Sequence, residues 1–435
     1  MNILITGRIE IPPPYGGMAR RILNNCKVWT GENHKVCLLY HSKKKEVDLM
    51  GADKVKIYFV YPFDMLRALR QKQFLPYFFK HPFSLLQFTQ LIVNHLEIAW
   101  EIFKIFRNFS FKRYNLIIFH YWNYAQKLIE IIQKERIHII EAHYGFESTL
   151  VSEIVADRLN IPVIISSYAE AVYWREKGEE KAEKYAPLFD ITYNRAKKVI
   201  APSWHCAKGP LRFVSRNKVE VIYSSIDVYQ YEEYLKKEKE IKKEMGFKKE
   251  ERIVLFVGML DPRKGPQFLA KAAPYIFQKM PNTKIVFIGS DLGFKKKLET
   301  LVKNIRERVI FTGGISDELL RKYYTVCDVL AFPSITEREC MGMSMKEAMA
   351  CGKPVVGFSV GGIPEAIIDG ETGYLVQPRN EKMLAEKIIK VLKGNERWRM
   401  KNACIKRAKE LFDIEISARK EEEVLKECIA YSKTP

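Results

Sequence analysis

The amino-acid sequence predicts an α/β protein made of two doubly wound domains with parallel sheets. Two series of short apolar runs, separated mostly by helical stretches, indicate strands that are buried on both faces. A polar and heavily charged stretch, from about residue 228 to residue 252, lies between the two series. The chain of 435 residues is long enough to give each domain its own core.

The predicted strands follow one another along the chain. The first series comprises residues 3–6, 36–40, 56–60, 116–119, 137–140, 163–166, 199–201 and 220–222. The second series comprises residues 253–257, 284–288, 309–312, 329–331, 354–358 and 374–376. From these runs we expect an N-terminal domain at residues 1–227 and a C-terminal domain at residues 228–413.

The charge of the chain is strongly positive. It has 72 Lys and Arg against 52 Asp and Glu, which gives a formal net charge of +20. Such an excess attracts nucleotide phosphates, nucleic acid or an anionic membrane surface, although a lysine-rich solvated surface gives the same count. The sequence contains no RNA- or DNA-binding motif, which argues against nucleic acid as a partner.

The cysteines and the apolar runs indicate the compartment. None of the eight cysteines forms a C-x-x-C pair and no histidine cluster accompanies them, so neither a zinc site nor a disulfide framework is expected. The first residues, MNILITG, have the pattern of a buried strand and not of a secretory signal, and no apolar run is long enough to span a bilayer. We therefore expect a cytoplasmic protein, either soluble or bound at the inner face of the membrane.

Two glutamates mark the strongest candidate site. Glu339 and Glu347 stand eight residues apart around a predicted helix start, so they share one helical face, or line one cleft from a loop and a helix. The amides of Gly342, Met343 and Ser344 would be free donors at the positive end of that helix, which suits a phosphate, and glycine permits close approach of a ligand. The carboxylates would bind sugar hydroxyls. A solvated helix with scattered glutamates is the alternative.

The sequence around these glutamates resembles the signature of the retaining family 4 glycosyltransferases, which have the GT-B fold. The resemblance is carried by the acidic pair and by the segments EAMA, GKPVV, GGIPE and DGETGYLV, which follow in the family's order and spacing. It implies two Rossmann-like domains that face each other across a cleft, with a final helix, at about residues 414–431, that returns to the first domain. It also assigns Glu339 to the transferred sugar and Glu347 to the ribose.

The resemblance extends to the first domain. Gly16 and Gly17 follow the opening strand, where the family places donor phosphate and the reacting sugar, although a structural turn explains two glycines equally well. His143 lies at the end of a strand and matches a family histidine, which implies contact with the donor sugar near its anomeric centre. From the residues alone, a core histidine bonded to a backbone carbonyl is the alternative. His120 does not match and is expected to be structural.

The start of the second domain matches the family in part. Lys264 stands at the position of the family's phosphate-binding lysine, whereas Met259 occupies the position of its arginine. Arg263 is the candidate replacement for the missing guanidinium. With Lys264 and backbone amides on the diphosphate, and with no D-x-D sequence in the chain, we expect neither a metal nor a cofactor. The absence of G-x-G-x-x-G argues against a nicotinamide enzyme.

The stretch from residue 62 to residue 113 does not match the family. It is rich in aromatic and basic residues, a composition typical of helices that bind a membrane surface, although helices packed on the sheet have aromatic residues too. From the resemblance we expect a retaining glycosyltransferase of hexosyltransferase type, with a nucleotide-sugar donor and a glycan or lipid-linked acceptor. The alternatives are a non-catalytic glycan- or polyanion-binding protein of the same fold and a sugar-nucleotide epimerase.

Overall fold

The computed structural model describes residues 1–7, 17–41, 52–60, 95–108, 114–168, 170 and 179–432. The chain divides into two compact units. The first unit comprises Met1–Ala201, Ala207–Ile222 and Ala418–Pro435, and the second comprises Pro202–Cys206 and Tyr223–Ser417. None of the helices in the described ranges is long and apolar enough to cross a bilayer.

The first unit is built on a parallel sheet of seven described strands in the order β3-β2-β1-β4-β5-β6-β7. The strands are β1 (Asn2–Gly7), β2 (Lys35–His41), β3 (Lys56–Val60), β4 (Ile139–His143), β5 (Val163–Ser166), β6 (Lys198–Ala201) and β7 (Val219–Val221). Its first five described helices are α1 (Gly17–Gly31), α2 (Leu96–Asn108), α3 (Tyr114–Glu135), α4 (Glu147–Arg158) and α5 (Glu179–Arg195).

The second unit has a parallel sheet of six described strands in the order β10-β9-β8-β11-β12-β13. The strands are β8 (Arg252–Val257), β9 (Thr283–Ile288), β10 (Val309–Gly313), β11 (Val329–Phe332), β12 (Val355–Phe358) and β13 (Gly373–Val376). The helices are α6 (Trp204–Ala207, at the edge of this unit), α7 (Glu232–Lys236), α8 (Glu238–Glu244), α9 (Pro266–Lys279), α10 (Lys295–Leu301), α11 (Asp317–Val326), α12 (Met343–Ala350), α13 (Ile363–Ala366), α14 (Glu381–Leu392) and α15 (Glu396–Leu411).

Both sheets have doubly wound topology, which confirms the predicted fold class. In each, the strand order reverses next to the first strand, between β1 and β4 in the first unit and between β8 and β11 in the second. Ligands of open α/β sheets bind beside the carboxyl ends of the strands at such a reversal. We therefore expect ligand-binding residues in the loops that follow these four strands.

One predicted strand is wrong. Residues 116–119 lie within helix α3, which runs from Tyr114 to Glu135. A short apolar run does not distinguish a buried strand from a buried helix, and length decides between them. Beyond that run the buried residues of α3 recur with the spacing of a helix, and they include Tyr124, Ala125, Leu128, Ile129 and Ile132.

The last helix, α16 (Ile414–Tyr431), groups with the first unit from Ala418 onward. The indole of Trp29, on α1, donates a hydrogen bond to the carbonyl of Ala418 at 3.1 Å. Leu425 of α16 belongs to the same buried cluster as Ile3 and Trp29. One face of the first sheet is therefore covered by α1 together with α16.

Candidate active site

In the second unit the two glutamates lie on either side of a helix start that follows the reversal point. Glu339 belongs to the loop after β11 and Glu347 to helix α12, which is the loop-and-helix version of the sequence prediction. Both side chains are largely buried, with 6% of Glu339 and 5% of Glu347 exposed. Burial of carboxylates requires partners, and each glutamate has one that orients it.

The partner of Glu339 is Lys264, the predicted phosphate ligand. The ammonium nitrogen of Lys264 lies 2.7 Å from Oε2 of Glu339, and the Ser334 hydroxyl donates to the same oxygen at 3.1 Å. Lys264 ends a short turn, Pro262–Lys264, that follows β8. The lysine and the glutamate are thus brought together from the ends of the two strands that flank the reversal of the sheet.

The backbone of Glu339 is fixed by the Gly361–Gly362 turn. The amide of Gly362 donates to the Glu339 carbonyl at 2.7 Å. A Cβ on Gly362 would lie 1.5 Å from the carbonyl oxygen of Cys340, so only glycine fits there, and Gly361 has a positive φ of 59°. The sequence shows this glycine pair only as part of the motif GGIPE. In the structure the pair holds the backbone of the loop that contains Glu339, which we call the acidic loop.

The partner of Glu347 is Tyr324. The phenol of Tyr324, on α11, donates to Oε2 of Glu347 at 2.7 Å, and its ring is fully buried. Sequence analysis missed Tyr324, since a tyrosine in an amphipathic helix has no local signal that distinguishes a carboxylate partner from a core residue. The bond orients the carboxyl group of Glu347.

Helix α12 begins at Met343, with Gly342 at the N-cap and no side-chain cap. The first amides of a helix, here those of Met343 and Ser344, have no partner within the helix and suit an anion. A Cβ on Gly342 would lie 2.4 Å from the Phe332 ring, so packing already requires a glycine there. Close approach of a ligand to this glycine stays a prediction.

The candidate replacement arginine is already paired. Arg263 makes a bidentate contact with Asp261, from Nε to Oδ1 at 3.0 Å and from Nη2 to Oδ2 at 2.7 Å. Hydrogen bonds from Arg263 hold the pKa of Asp261 below its usual value. Met259, at the family's arginine position, is 43% exposed and carries no charge. Lys264 is paired as well, with Glu339, so both Arg263 and Lys264 stay predicted phosphate contacts.

In the first unit, His143 is the last residue of β4 and pairs with Gly7 at the end of β1. It is 1% exposed, and Nδ1 lies 3.0 Å from the hydroxyl of Tyr168. Nε2 lies 3.1 Å from Oε1 of Glu141, but not in a direction that makes a hydrogen bond. Burial, and then the nearby charge of Arg21, lower the pKa of His143 to about 3, so the imidazole is neutral near pH 7.

His143 belongs to a buried cluster of titratable side chains. The other members are Arg21, Glu141 and Glu421. Arg21 of α1 and Glu421 of α16 form an ion pair at 2.6 Å, and both are at least 98% buried. Burial raises the pKa of Glu421 to about 7, although the charge of Arg21 opposes that rise, and Glu141 adds to it. Sequence analysis missed this cluster because Arg21 and Glu421 are 400 positions apart.

The remaining sequence predictions of the first unit are only partly described. Gly17 is the first residue of α1, and Gly16 lies outside the described residues. His120 lies in α3, but its side chain is outside the described part of the chain. Most of residues 62–113, the stretch rich in aromatic and basic residues, are also outside it. Their roles stay predictions.

Two family models match the chain and together cover most of it. The model of Glycosyltransferase Family 4 matches residues 15–230, and that of Glycosyl transferases group 1 matches residues 237–411. The chain belongs to the family 4 glycosyltransferases. The second match contains the whole of the Lys264, Glu339 and Glu347 site, and the first contains His143.

Curated relatives of this family 4 member include an uncharacterised glycosyltransferase of Methanocaldococcus jannaschii. It is 34% identical over 197 residues, which are 44% of this chain and 49% of the relative. The N-acetyl-alpha-D-glucosaminyl L-malate synthase of Bacillus anthracis is 26% identical over 333 residues, which are 74% of this chain and 78% of the relative. The chain thus matches about half the length of the first relative and more of the second.

A solved structure of similar fold is that of Anabaena HepE in complex with UDP. It aligns with a TM-score of 0.72 at 19% identity and covers 98% of this chain and 100% of the HepE chain. The GT-B fold expected from the sequence is confirmed by this and by other glycosyltransferase structures.

Proposed function

We propose that the protein is a retaining glycosyltransferase of hexosyltransferase type that moves a sugar from a nucleotide-sugar donor to a glycan or lipid-linked acceptor. The observation that carries this proposal is the meeting of Lys264 and Glu339 at 2.7 Å, beside the reversal point of the second sheet. A cation for a diphosphate and a carboxylate for sugar hydroxyls are the two groups that recognition of a nucleotide sugar requires. The crystal structure of HepE with UDP-glucose supports this class of donor.

The residues of the second unit have distinct tasks in the proposed reaction. Lys264 and the first amides of α12 stabilise the negative charge that grows on the leaving diphosphate. Glu339 accepts hydrogen bonds from hydroxyls of the transferred sugar. Glu347, oriented by Tyr324, accepts hydrogen bonds from the ribose hydroxyls. Because Lys264 and backbone amides handle the phosphate charge, the reaction requires no metal.

In the first unit we assign His143 and the Gly16–Gly17 turn to the donor. A neutral imidazole can donate one hydrogen bond and accept another, so His143 would offer a polar contact to the sugar without adding charge. Attack of the acceptor on the same face from which the diphosphate leaves would retain the anomeric configuration. The departing phosphate oxygen then takes the acceptor's proton.

The lipid-linked acceptor and a location at the inner face of the membrane belong to the same proposal. Within the described part of residues 62–113, helix α2 exposes Leu96 and Trp100, one turn apart, each at 62%. Lys104, one further turn along, is also exposed. The opposite face of α2 packs into the first unit through Ile98, Ala99 and Ile102. An exposed apolar stripe beside a lysine suits the surface of an anionic membrane.

The decisive experiment is incubation of the protein with a panel of UDP-, GDP- and ADP-sugars, with and without EDTA. We expect release of nucleoside diphosphate from one donor, unchanged by EDTA, and NMR of a transfer product should show the donor's anomeric configuration. Glu339→Gln should lose most of this turnover with the fold intact. An inverted product or a strict need for Mn²⁺ or Mg²⁺ would contradict the proposed mechanism.

The alternative as a non-catalytic binding protein is favoured by one observation, the uncharged Met259 at the family's arginine position. Loss of one charge-assisted phosphate contact costs roughly 1.5–3 kcal/mol. Sugar nucleotides that bind without being consumed would support this alternative. Interconversion of the donor sugar without release of nucleoside diphosphate would instead indicate an epimerase.

A further inference from the structure

The two charged groups assigned to the donor neutralise each other in the structure. The ammonium nitrogen of Lys264 lies 2.7 Å from Oε2 of Glu339. The lysine side chain is 31% exposed and the glutamate side chain is 8% exposed. The same carboxylate oxygen accepts the Ser334 hydroxyl at 3.1 Å. A diphosphate that binds Lys264 therefore meets a cation that already has an anionic partner.

Of the two side chains, that of Glu339 is the more buried and is also held by Ser334, and its backbone is bonded on both sides. Its amide donates to the Thr336 carbonyl at 3.1 Å, and its carbonyl accepts the Gly362 amide at 2.7 Å. A Cβ on Gly361 would approach the Glu339 carbonyl oxygen to 2.5 Å, so the turn lies directly against this residue. Lys264 has a flexible four-carbon stem, and its ammonium carries three rotatable donors. The lysine is thus the group that turns towards or away from a phosphate.

A complete donor and a spent nucleotide meet this ion pair differently. When a nucleotide sugar binds, sugar hydroxyls give Glu339 hydrogen bonds that compensate for a weaker contact with Lys264. A nucleoside diphosphate lacks the transferred sugar, so its phosphate must draw Lys264 from Glu339 without compensation. The ion pair therefore weakens the binding of the spent nucleotide more than that of the donor.

We propose that Glu339 competes with the diphosphate for Lys264, and that this competition promotes release of the nucleoside diphosphate after transfer. The inference rests on the proposed function, since it assumes that Lys264 binds the donor diphosphate. It gives Glu339 a second task besides contact with the sugar. It also predicts that loss of the Glu339 charge strengthens binding of a nucleotide that lacks the transferred sugar.

The test is calorimetric titration of UDP, GDP and ADP into the wild type, followed by titration of the nucleotide that binds best into variants. Glu339→Gln should bind it more tightly, on the order of fivefold or more, because an ion pair of about 1 kcal/mol no longer holds Lys264. Glu339→Ala is the second variant, and thermal melting without nucleotide checks that each variant is folded. Equal or weaker binding by the folded variants would overturn the inference.

Two further titrations separate competition for Lys264 from a general charge effect. In a Lys264→Met background, Glu339→Gln should leave the affinity unchanged, because the contested group is absent. The matched control is Glu337→Gln, which removes a carboxylate that is 52% exposed from the same loop and should alter the affinity little. Equal tightening by Glu339→Gln in both backgrounds would overturn the inference. If the wild type binds none of the three nucleotides, the proposed function itself fails.

Discussion

At the scale of single residues, buried hydroxyls orient the carboxylates of the candidate site. Tyr324 bonds to Glu347 and Ser334 to Glu339, and both hydroxyl-bearing side chains are buried. A carboxyl group held in this way loses little rotamer entropy when a ligand binds, because that entropy was lost on folding. Affinity for the ligand then depends on these supporting residues as well as on the carboxylates.

Tyr324→Phe tests the support of Glu347. Removal of the hydroxyl leaves the ring in place but frees the carboxyl group, so we expect nucleotide binding to weaken by about 1 kcal/mol, or roughly fivefold, by calorimetric titration. Tyr323→Phe is the matched control. The ring centroids of Tyr323 and Phe247 are 6.4 Å apart, and we assign no role to the Tyr323 hydroxyl. Equal affinity in Tyr324→Phe and wild type would show that the bond to Glu347 is only structural.

The residues of the candidate site that stand within short sequence motifs could be predicted from the sequence. Glu339, Glu347 and Lys264 stand at fixed spacings in short motifs, and the fold brings Lys264 to Glu339. The partners that hold them have no such signal. Tyr324 is 23 positions from Glu347, and Gly361 contacts the acidic loop through backbone that a linear pattern does not show. Spacing within an element is readable, whereas contact between elements depends on the fold.

At the scale of elements, helix α16 contributes a buried carboxyl group to the surroundings of His143. Glu421 of α16 pairs with Arg21 of α1, and both act electrostatically on His143.

The strand prediction at residues 116–119 was wrong because four apolar residues do not show how long the element that contains them is. That element is the helix Tyr114–Glu135, and its helical pattern of burial becomes visible only after residue 119.

Glu421→Gln should change how stability depends on pH. The pKa of Glu421 is raised to about 7. Its contribution to the free energy of unfolding is therefore present at low pH and is lost as the pH rises through 7. The pKa of His143 is lowered to about 3, so its contribution is present at neutral pH and is lost as the pH falls through 3. Between about pH 4.5 and pH 6.5 the two contributions oppose each other.

Relative to wild type, Glu421→Gln should therefore gain unfolding free energy as the pH rises from 4.5 to 6.5, on the order of 1 kcal/mol per pH unit. Calorimetric unfolding over this pH range measures the difference between variant and wild type. Glu422→Gln is the control, since the pKa of that carboxyl is lowered to about 2. Parallel pH profiles for Glu421→Gln and wild type would contradict the assignment.

Helix α2 carries the testable part of the membrane proposal. Trp100→Ser removes an exposed indole and should reduce flotation with anionic vesicles, an effect that high salt also produces by screening the charges. Trp398→Ser is the control, because that tryptophan is 52% exposed but lies in the second unit. Equal flotation of wild type with neutral and anionic vesicles, or no flotation at all, would show that α2 does not bind a membrane.

At the scale of the whole molecule, the two units share one architecture and differ in what they contribute. The second unit holds Lys264 with Glu339 at its reversal point, whereas the first holds a neutral, buried histidine at the corresponding place, next to the Arg21–Glu421 ion pair. The doubly wound fold was predictable because apolar runs recur with helices between them. The pairing of far-separated charges was not predictable, since a buried arginine and an exposed one look alike in sequence.

The return of α16 to the first unit makes the order of synthesis relevant to folding. The first unit needs residues from 418 onward, so a growing chain has emerged through the whole of the second unit before Arg21 meets Glu421. The second unit should accordingly become resistant to protease first. Stalled nascent chains that expose residues up to 417 should show a protected second unit and a first unit that is still cleaved. Release of the complete chain should then protect both, and early protection of residues 17–31 would contradict this order.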